Sequence, residues 1–184
     1  MVINKIKRLC DASKFILICN HEGEQWIGTG RALYLLHDMP RLNEETVCAV
    51  LDIAKDKRGK YQTKESVGIP GGISTEDNDS NEKPLQLMSV DVSWNGRRLT
   101  PAEDDSRILF LDREYLAPFK DLSDGVQLYT RTAPSGRIYI AAKDGMFLRG
   151  IIQPEDADCA KLGELLRDVG QYVMDHSRDS DEED

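Results

Sequence analysis

Three apolar runs, Val126 to Arg131, Ile138 to Ala142 and Met146 to Ile152, follow one another with little between them but Pro134-Ser135-Gly136 and Asp144-Gly145. The runs are too short for stable helices, and the residues between them favour chain reversal. The stretch is therefore predicted to be an antiparallel meander. Much of the chain must then be built around a sheet.

The first quarter carries the same signals. Ile3, Ile6, Leu9 and Cys10 recur at helical spacing, and Asp11 to Lys14 close that helix. A strand is expected at Phe15 to Cys19, with a hairpin turn at His21-Glu22-Gly23-Glu24. The chain returns through Gln25-Trp26-Ile27 to Ala32-Leu33-Tyr34-Leu35-Leu36. Pro40 breaks this run. Asn43 ahead of Glu44 and Glu45 is a helix N-cap, and Val47, Val50 and Leu51 form that helix's apolar stripe.

From Lys55 to Lys83 the apolar periodicity disappears, which predicts one long loop with a basic part, a Gly-Ile-Pro-Gly-Gly part and an acidic part. Order resumes at Leu85 to Ser93. Asn95-Gly96 is a strong hairpin signal, and a strand at Ile108 to Leu111 leads to a short helix limited by Pro118. In the last helix Leu162, Leu165, Leu166, Val169, Tyr172 and Val173 share one face, and Lys161, Glu164, Arg167, Asp168 and Gln171 share the other. The fold class is α+β: antiparallel sheet with a few short helices and an amphipathic C-terminal helix. The helix, strand, turn, strands order of residues 4–36 returns over residues 112–152. Such a doubled helix-plus-hairpin unit resembles the arrangement in sliding-clamp domains.

Length suits one domain, residues 1–174, and the acidic residues 175–184 read as a disordered tail. Six acids against one Arg in those ten residues account for −5 of the net charge of −9, so the body is only mildly acidic. Cys10, Cys19, Cys48 and Cys159 lack paired spacing and read as small core hydrophobes. The sequence begins Met1-Val2-Ile3-Asn4-Lys5, with no signal-peptide run and no membrane-length apolar stretch. The cytoplasm of a bacterial host cell is the expected location.

Little in the sequence points to catalysis. His21, His37 and His176 are dispersed in turn or tail positions, so no nucleophile, base and orienting acid can be assembled from spacing, and no metal-ligand pattern emerges. Gly28-Thr29-Gly30 and Gly68-Ile69-Pro70-Gly71-Gly72 lack the Lys-Ser/Thr of a nucleotide loop and read as turns or bulges. No enzyme activity, cofactor or metal is expected.

Binding signals are more concrete. Lys55, Lys57, Arg58, Lys60 and Lys64, with Tyr61 among them, set five cations and a ring against one acid, Asp56. Cations there can neutralise phosphates, and a tyrosine can stack on a base. Arg97 and Arg98 follow the Asn95-Gly96 turn and extend the basic set. The acidic part, with Glu76, Asp77, Asp79 and Glu82, is the candidate for docking on a basic partner.

The run from Gln25 to Leu36, with Met39 to Glu45 and Val50 to Ile53, resembles a family of small proteins from phages and prophages of gut Firmicutes. Tyr115 to Pro118, Leu128 to Thr132, Ile140 to Gly145 and Ile152 to Pro154 carry the resemblance in the second half. The family includes anti-CRISPR proteins that inhibit type II Cas9 nucleases. The resemblance implies a phage protein that binds a Cas9-type nuclease with its guide RNA, together with DNA reached through the basic loop, and prevents cleavage. No membrane is implied, and no binding motif of the family can be placed on particular residues. The alternative is a phage DNA replication or recombination accessory protein of clamp-like build.

Overall fold

The computed structural model describes residues 3–119, 125–155 and 157–179. Helix α1 (Ile3–Ser13) buries Ile6, Leu9 and Cys10, the positions its spacing gave. It delivers the chain to β1 (Phe15–His21), which turns through Glu22 and Gly23 into β2 (Glu24–Gly28). Both turn residues have positive φ, 49° and 89°, as a two-residue hairpin matched to right-handed strand twist requires. Strand β3 (Ala32–Leu36) follows. Between β2 and β3 a Cβ at Gly28 would lie 2.0 Å from the Ala32 carbonyl oxygen, so only glycine fits there. Helix α2 (Glu44–Val50) starts at Asn43, whose side chain accepts from the Glu45 and Thr46 amides, while the Thr46 hydroxyl accepts from the Asn43 amide.

Residues 55–83 correct the expectation of one long loop. Lys55–Lys60 form a 3₁₀ helix, and Gln62–Val67 form β4, which pairs in parallel with β1. The strand was hidden because its burial comes from one neighbour at a sheet edge, leaving Gln62, Lys64, Glu65 and Val67 exposed. The predicted segment Leu85 to Ser93 divides into β5 (Lys83–Leu87) and β6 (Val92–Trp94). After the Asn95-Gly96 turn come β7 (Arg97–Asp104) and β8 (Arg107–Asp112), then a 3₁₀ helix at Arg113–Phe119 containing Pro118. The meander is present as β9 (Val126–Thr132), β10 (Ile138–Asp144) and β11 (Phe147–Ile152). Its second turn is centred on Gly145 and Met146, because Asp144 pairs with Phe147.

These strands make one mixed sheet in the order β4-β1-β2-β3-β11-β10-β9-β5-β7-β6, with β8 on β7. Every pairing is antiparallel except β1 with β4. At the centre β3 lies against β11, so β1-β2-β3 and β11-β10-β9 run inward from either side to a shared seam. The helix ahead of each triplet lies on the same side: α1 packs against the 113–119 helix, and Arg8 Nη2 is 3.6 Å from Glu114 Oε2.

Alternation along the strands gives the sheet two apolar faces. Ile6, Ile16, Ile18, Ile27, Tyr34, Leu51, Ile140 and Ile152 fill one, under the helices. Leu17, Cys19, Trp26, Leu33, Tyr139, Leu148 and Ile151 fill the other, under a strap formed by residues 68–82. Each such side chain is worth about 1.5–3 kcal/mol when buried, against about 0–1 kcal/mol for an exposed ion pair. The two cores therefore hold the body together, and the charged rim is left to other uses. Cys10, Cys19 and Cys48 are free thiols within these cores; the Cys159 side chain lies outside the described residues.

Helix α3 (Ala157–Asp179) departs from expectation twice. It runs to Asp179, five residues into the segment read as tail, and residues 180–184 lie outside the described residues. Among the described side chains its apolar face is also mostly exposed: Leu162 packs beside Leu99 and Phe110, Gly163 sits close on Phe110, and Glu164 to Tyr172 are exposed. No helix among the described residues is long and apolar enough to cross a membrane.

Candidate nucleic-acid interface

The basic segment is ordered by its polar backbone contacts and by Tyr61. The Lys57 amide donates to the Ala54 carbonyl, the Tyr61 amide to Arg58, and the Gln62 amide to Lys14, which ties the 3₁₀ helix to the end of α1. The Tyr61 hydroxyl donates to the Asp11 carboxylate, and Lys14 Nζ stands 4.7 Å from the centre of the ring. That contact raises the phenol to about 12: the hydrogen bond to Asp11 contributes most, then burial, then the negative charge of Asp11. Tyr61 is thus an anchor, its hydroxyl tied to Asp11 and its half-buried ring beside Lys14.

Around the anchor, Lys55, Lys57 and Lys60 are exposed on the 3₁₀ helix, whereas Lys64, exposed on β4, stands in register with Leu17 and so projects at the sheet edge toward the other face. Arg58 is half-buried, and its Nε donates to the Ile53 carbonyl at 3.4 Å. Among the described residues none of these five cations has a carboxylate within 4.0 Å. Lys14, 41 residues or more away along the chain, joins the same ridge. Spacing could not have found it, because it is brought there by the parallel β1–β4 pairing.

Arg97 and Arg98 are differently placed. Arg97 Nη1 is 2.9 Å from Glu155 Oε1, and Arg31 Nη1 is 3.2 Å from the other oxygen of that carboxylate. Arg98 Nη2 is 2.6 Å from Asp91 Oδ2, which Arg113 Nη1 also reaches at 2.5 Å. The hydroxyl of Thr100 and these two guanidinium groups hold the Asp91 carboxyl below its usual range, although burial opposes them. Each hairpin arginine thus shares one carboxylate with a second arginine, at the end of the sheet order opposite β4 and the lysines.

The acidic part lies on the opposite face of the sheet. Glu82 accepts from Arg131 at 2.6 Å and from Lys143 at 2.9 Å, and both cations are almost wholly buried. Arg131 also donates to the carbonyls of Glu76 and Asp77, and the Leu148 amide donates to the Asp77 carboxylate. Asp79 accepts from the Asn81 amide and closes a local turn. The segment is a pinned strap, and Glu82 in particular is an internal counter-ion unavailable to a partner. Glu76 and Asp77 remain exposed at its outer surface.

His21 and His37 each lie beside the next acid in sequence, at 3.9 and 3.5 Å, and the His176 side chain lies outside the described residues. Among the described residues no group of three or more His, Cys, Asp or Glu is placed to hold a metal ion. Thr29 and Gly30 lie in the turn between β2 and β3, in which Thr29 Oγ1 accepts from the Arg31 and Ala32 amides. Gly68, Gly71 and Gly72 have positive φ and start the strap. No protein-family model, curated protein or solved structure matches the chain.

Proposed function

We propose that this chain works by contact and not by catalysis, pressing its lysine ridge against the phosphates of a nucleic acid carried by a larger complex. The observation that carries this reading is the set of four exposed lysines, Lys55, Lys57 and Lys60 on the 3₁₀ helix and Lys64 on the adjoining edge strand, with no carboxylate partner among the described residues in a chain of net charge −9. Clustered cations of that kind gain free energy by displacing the counterions condensed on a phosphate backbone.

The partner we propose is a Cas9-type nuclease with its guide RNA inside a bacterial host cell, whose cleavage of DNA is prevented by occupation. The resemblance of residues 25–53 and 115–154 to the phage family supports this, as does the exposure of nucleic-acid backbone in such complexes. A second reading, a phage DNA replication or recombination accessory protein of clamp-like build, is favoured by the arrangement of two helix-and-three-strand units about the β3–β11 seam.

One experiment separates them. The purified chain is titrated into cleavage reactions run with several Cas9 orthologues, and in parallel into primer-extension and strand-exchange reactions. The inhibitor reading expects cleavage to stop, and expects a Lys55, Lys57, Lys60 and Lys64 to Gln variant to restore it. Stimulated extension with undisturbed cleavage would transfer the assignment to the accessory reading. No effect in any reaction at large molar excess would overturn both.

A further inference from the structure

We infer that the space between the strap and the sheet is a binding site for a small monocarboxylate with a compact apolar body. The cavity measures about 120 Å³. Its floor is made by Leu17, Leu33, Tyr139 and Ile151, all buried on the face away from the helices. Ile69, Pro70 and Ile73 of the strap roof it over. It borders the turn between β2 and β3, where Gly30 and Arg31 join Arg137 and Gln153 in the lining.

Protein interiors leave few voids larger than a water molecule. A space of this size, walled by aliphatic side chains and one ring, is more than the packing of a strap on a sheet requires. An apolar cavity of about 150 Å³ takes a benzene-sized molecule, so this one takes a hydrocarbon body of about five or six carbon atoms. Floor and roof set no charged side chain against that body.

The rest of the lining selects an anion. It holds two arginines and no Asp or Glu, in a chain of net charge −9. Arg31 is already engaged, its Nη1 being 3.2 Å from Glu155 Oε2. Arg137 is exposed and has no carboxylate within 4.0 Å among the described residues. A planar guanidinium matches a carboxylate through two parallel hydrogen bonds. Gln153, whose backbone amide is fixed by donating to the Arg31 carbonyl, adds the N–H donors of a carboxamide. Among the described residues of the lining only Arg137 is an uncommitted cation, which balances the single charge of a carboxylate and not the double charge of a phosphate.

The cavity is independent of the lysine ridge and of whatever partner the ridge takes. With the isoleucine δ-methyl groups isotope-labelled and followed by NMR, the full chain is titrated with isocaproate to about 20 mM, which spans the affinity open to so small a ligand. The methyls of Ile69, Ile73 and Ile151 should shift and saturate with a Kd on the order of 1 mM, while those of Ile6, Ile140 and Ile152 in the other core stay in place. Isocaproamide lacks the charge and acetate lacks the body, so each should bind at least about tenfold more weakly. Arg137→Gln, a change at an exposed position, should keep the wild-type melting temperature and lose the preference for acid over amide. The site is overturned by the absence of a saturable shift at the three methyls, by an amide that binds as tightly as the acid, or by an Arg137→Gln chain that keeps the preference. Acetate binding as tightly as isocaproate overturns the apolar body.

Discussion

Replacing Glu82 by Gln removes the anion shared by two buried cations. Arg131 is 1% exposed and Lys143 4%. Arg131 Nε and Nη2 donate to Glu82 Oε2 at 3.0 and 2.6 Å, and Lys143 Nζ donates to Oε1 at 2.9 Å. Deleting one partner of a buried pair costs about 3–5 kcal/mol, because the other charge is left uncompensated. The Glu82 side chain retains 17% exposure, and Arg131 keeps the Glu76 and Asp77 carbonyls, so the lower end, about 3 kcal/mol, applies. At about 2–4 °C per kcal/mol for a chain of this size, the melting temperature at pH 7 should fall by roughly 6–12 °C. The loss should depend on pH in a definite sense. Burial alone would raise the Glu82 carboxyl, but hydrogen bonds from Lys143 and Arg131 and their charges hold it below the usual carboxylate range. A depressed carboxyl contributes its full stability above its unfolded value, about 4.3, and loses it as pH falls through the folded value. The difference between wild type and Glu82→Gln should therefore be full at neutral pH and shrink below about pH 4. Thermal melts followed by circular dichroism at both ends of that range test this. A variant melting within about 2 °C of wild type at pH 7 would refute the reasoning.

Three further outcomes follow from the same packing. Gly28→Ala should cost about 3 kcal/mol or more, read as a lower melting temperature or lost soluble yield, since its Cβ would meet the Ala32 carbonyl at 2.0 Å. Gly30→Ala meets nothing within 4 Å and should melt like wild type. No more than one of the four thiols should react quickly with an aromatic disulfide at pH 8: Cys10, Cys19 and Cys48 are buried, and burial pushes the Cys10 thiol up to about 12 and Cys19 to about 11. Three fast thiols would contradict the two-core arrangement. Tyr61→Phe should cost about 1 kcal/mol at neutral pH through the lost hydrogen bond to Asp11. With its folded value raised, Tyr61 contributes stability below its unfolded value, near 10, and loses it as pH rises toward 12, so the variant's deficit should shrink in alkali. An unchanged deficit at pH 7 and at the alkaline limit of folding would contradict this.

What could be read from the chain was whatever local chemistry decides. The meander, both hairpin turns at Glu22-Gly23 and Asn95-Gly96, and the Asn43 cap follow from turn residues and alternation, and each is present. Strand β4 was not legible, because an edge strand with one partner keeps polar residues on most positions. Nor was β7 delimited, since Pro101 in its middle interrupts the strand signal; there the chain manages without the missing donor, and the Pro101 carbonyl accepts from Met88. The candidate site divides in the same way. Sequence placed the lysines together because they are neighbours, but the pairing of Arg97 with Glu155, 58 residues later, and of Glu82 with Arg131 and Lys143 depends on sheet topology. Amphipathic spacing fixed the apolar face of α3 without fixing what covers it.

The salt dependence of nucleic-acid binding bears most directly on the lysine ridge. Fluorescence anisotropy of a labelled duplex, titrated with wild-type chain and with the chain in which Lys55, Lys57, Lys60 and Lys64 are Gln, gives the slope of log K against log salt for each. Each phosphate contact removed should lower the slope by about 0.9, so the two lines should differ by roughly three to four units, with the variant the flatter. Parallel lines of equal affinity would place the contact elsewhere on the molecule.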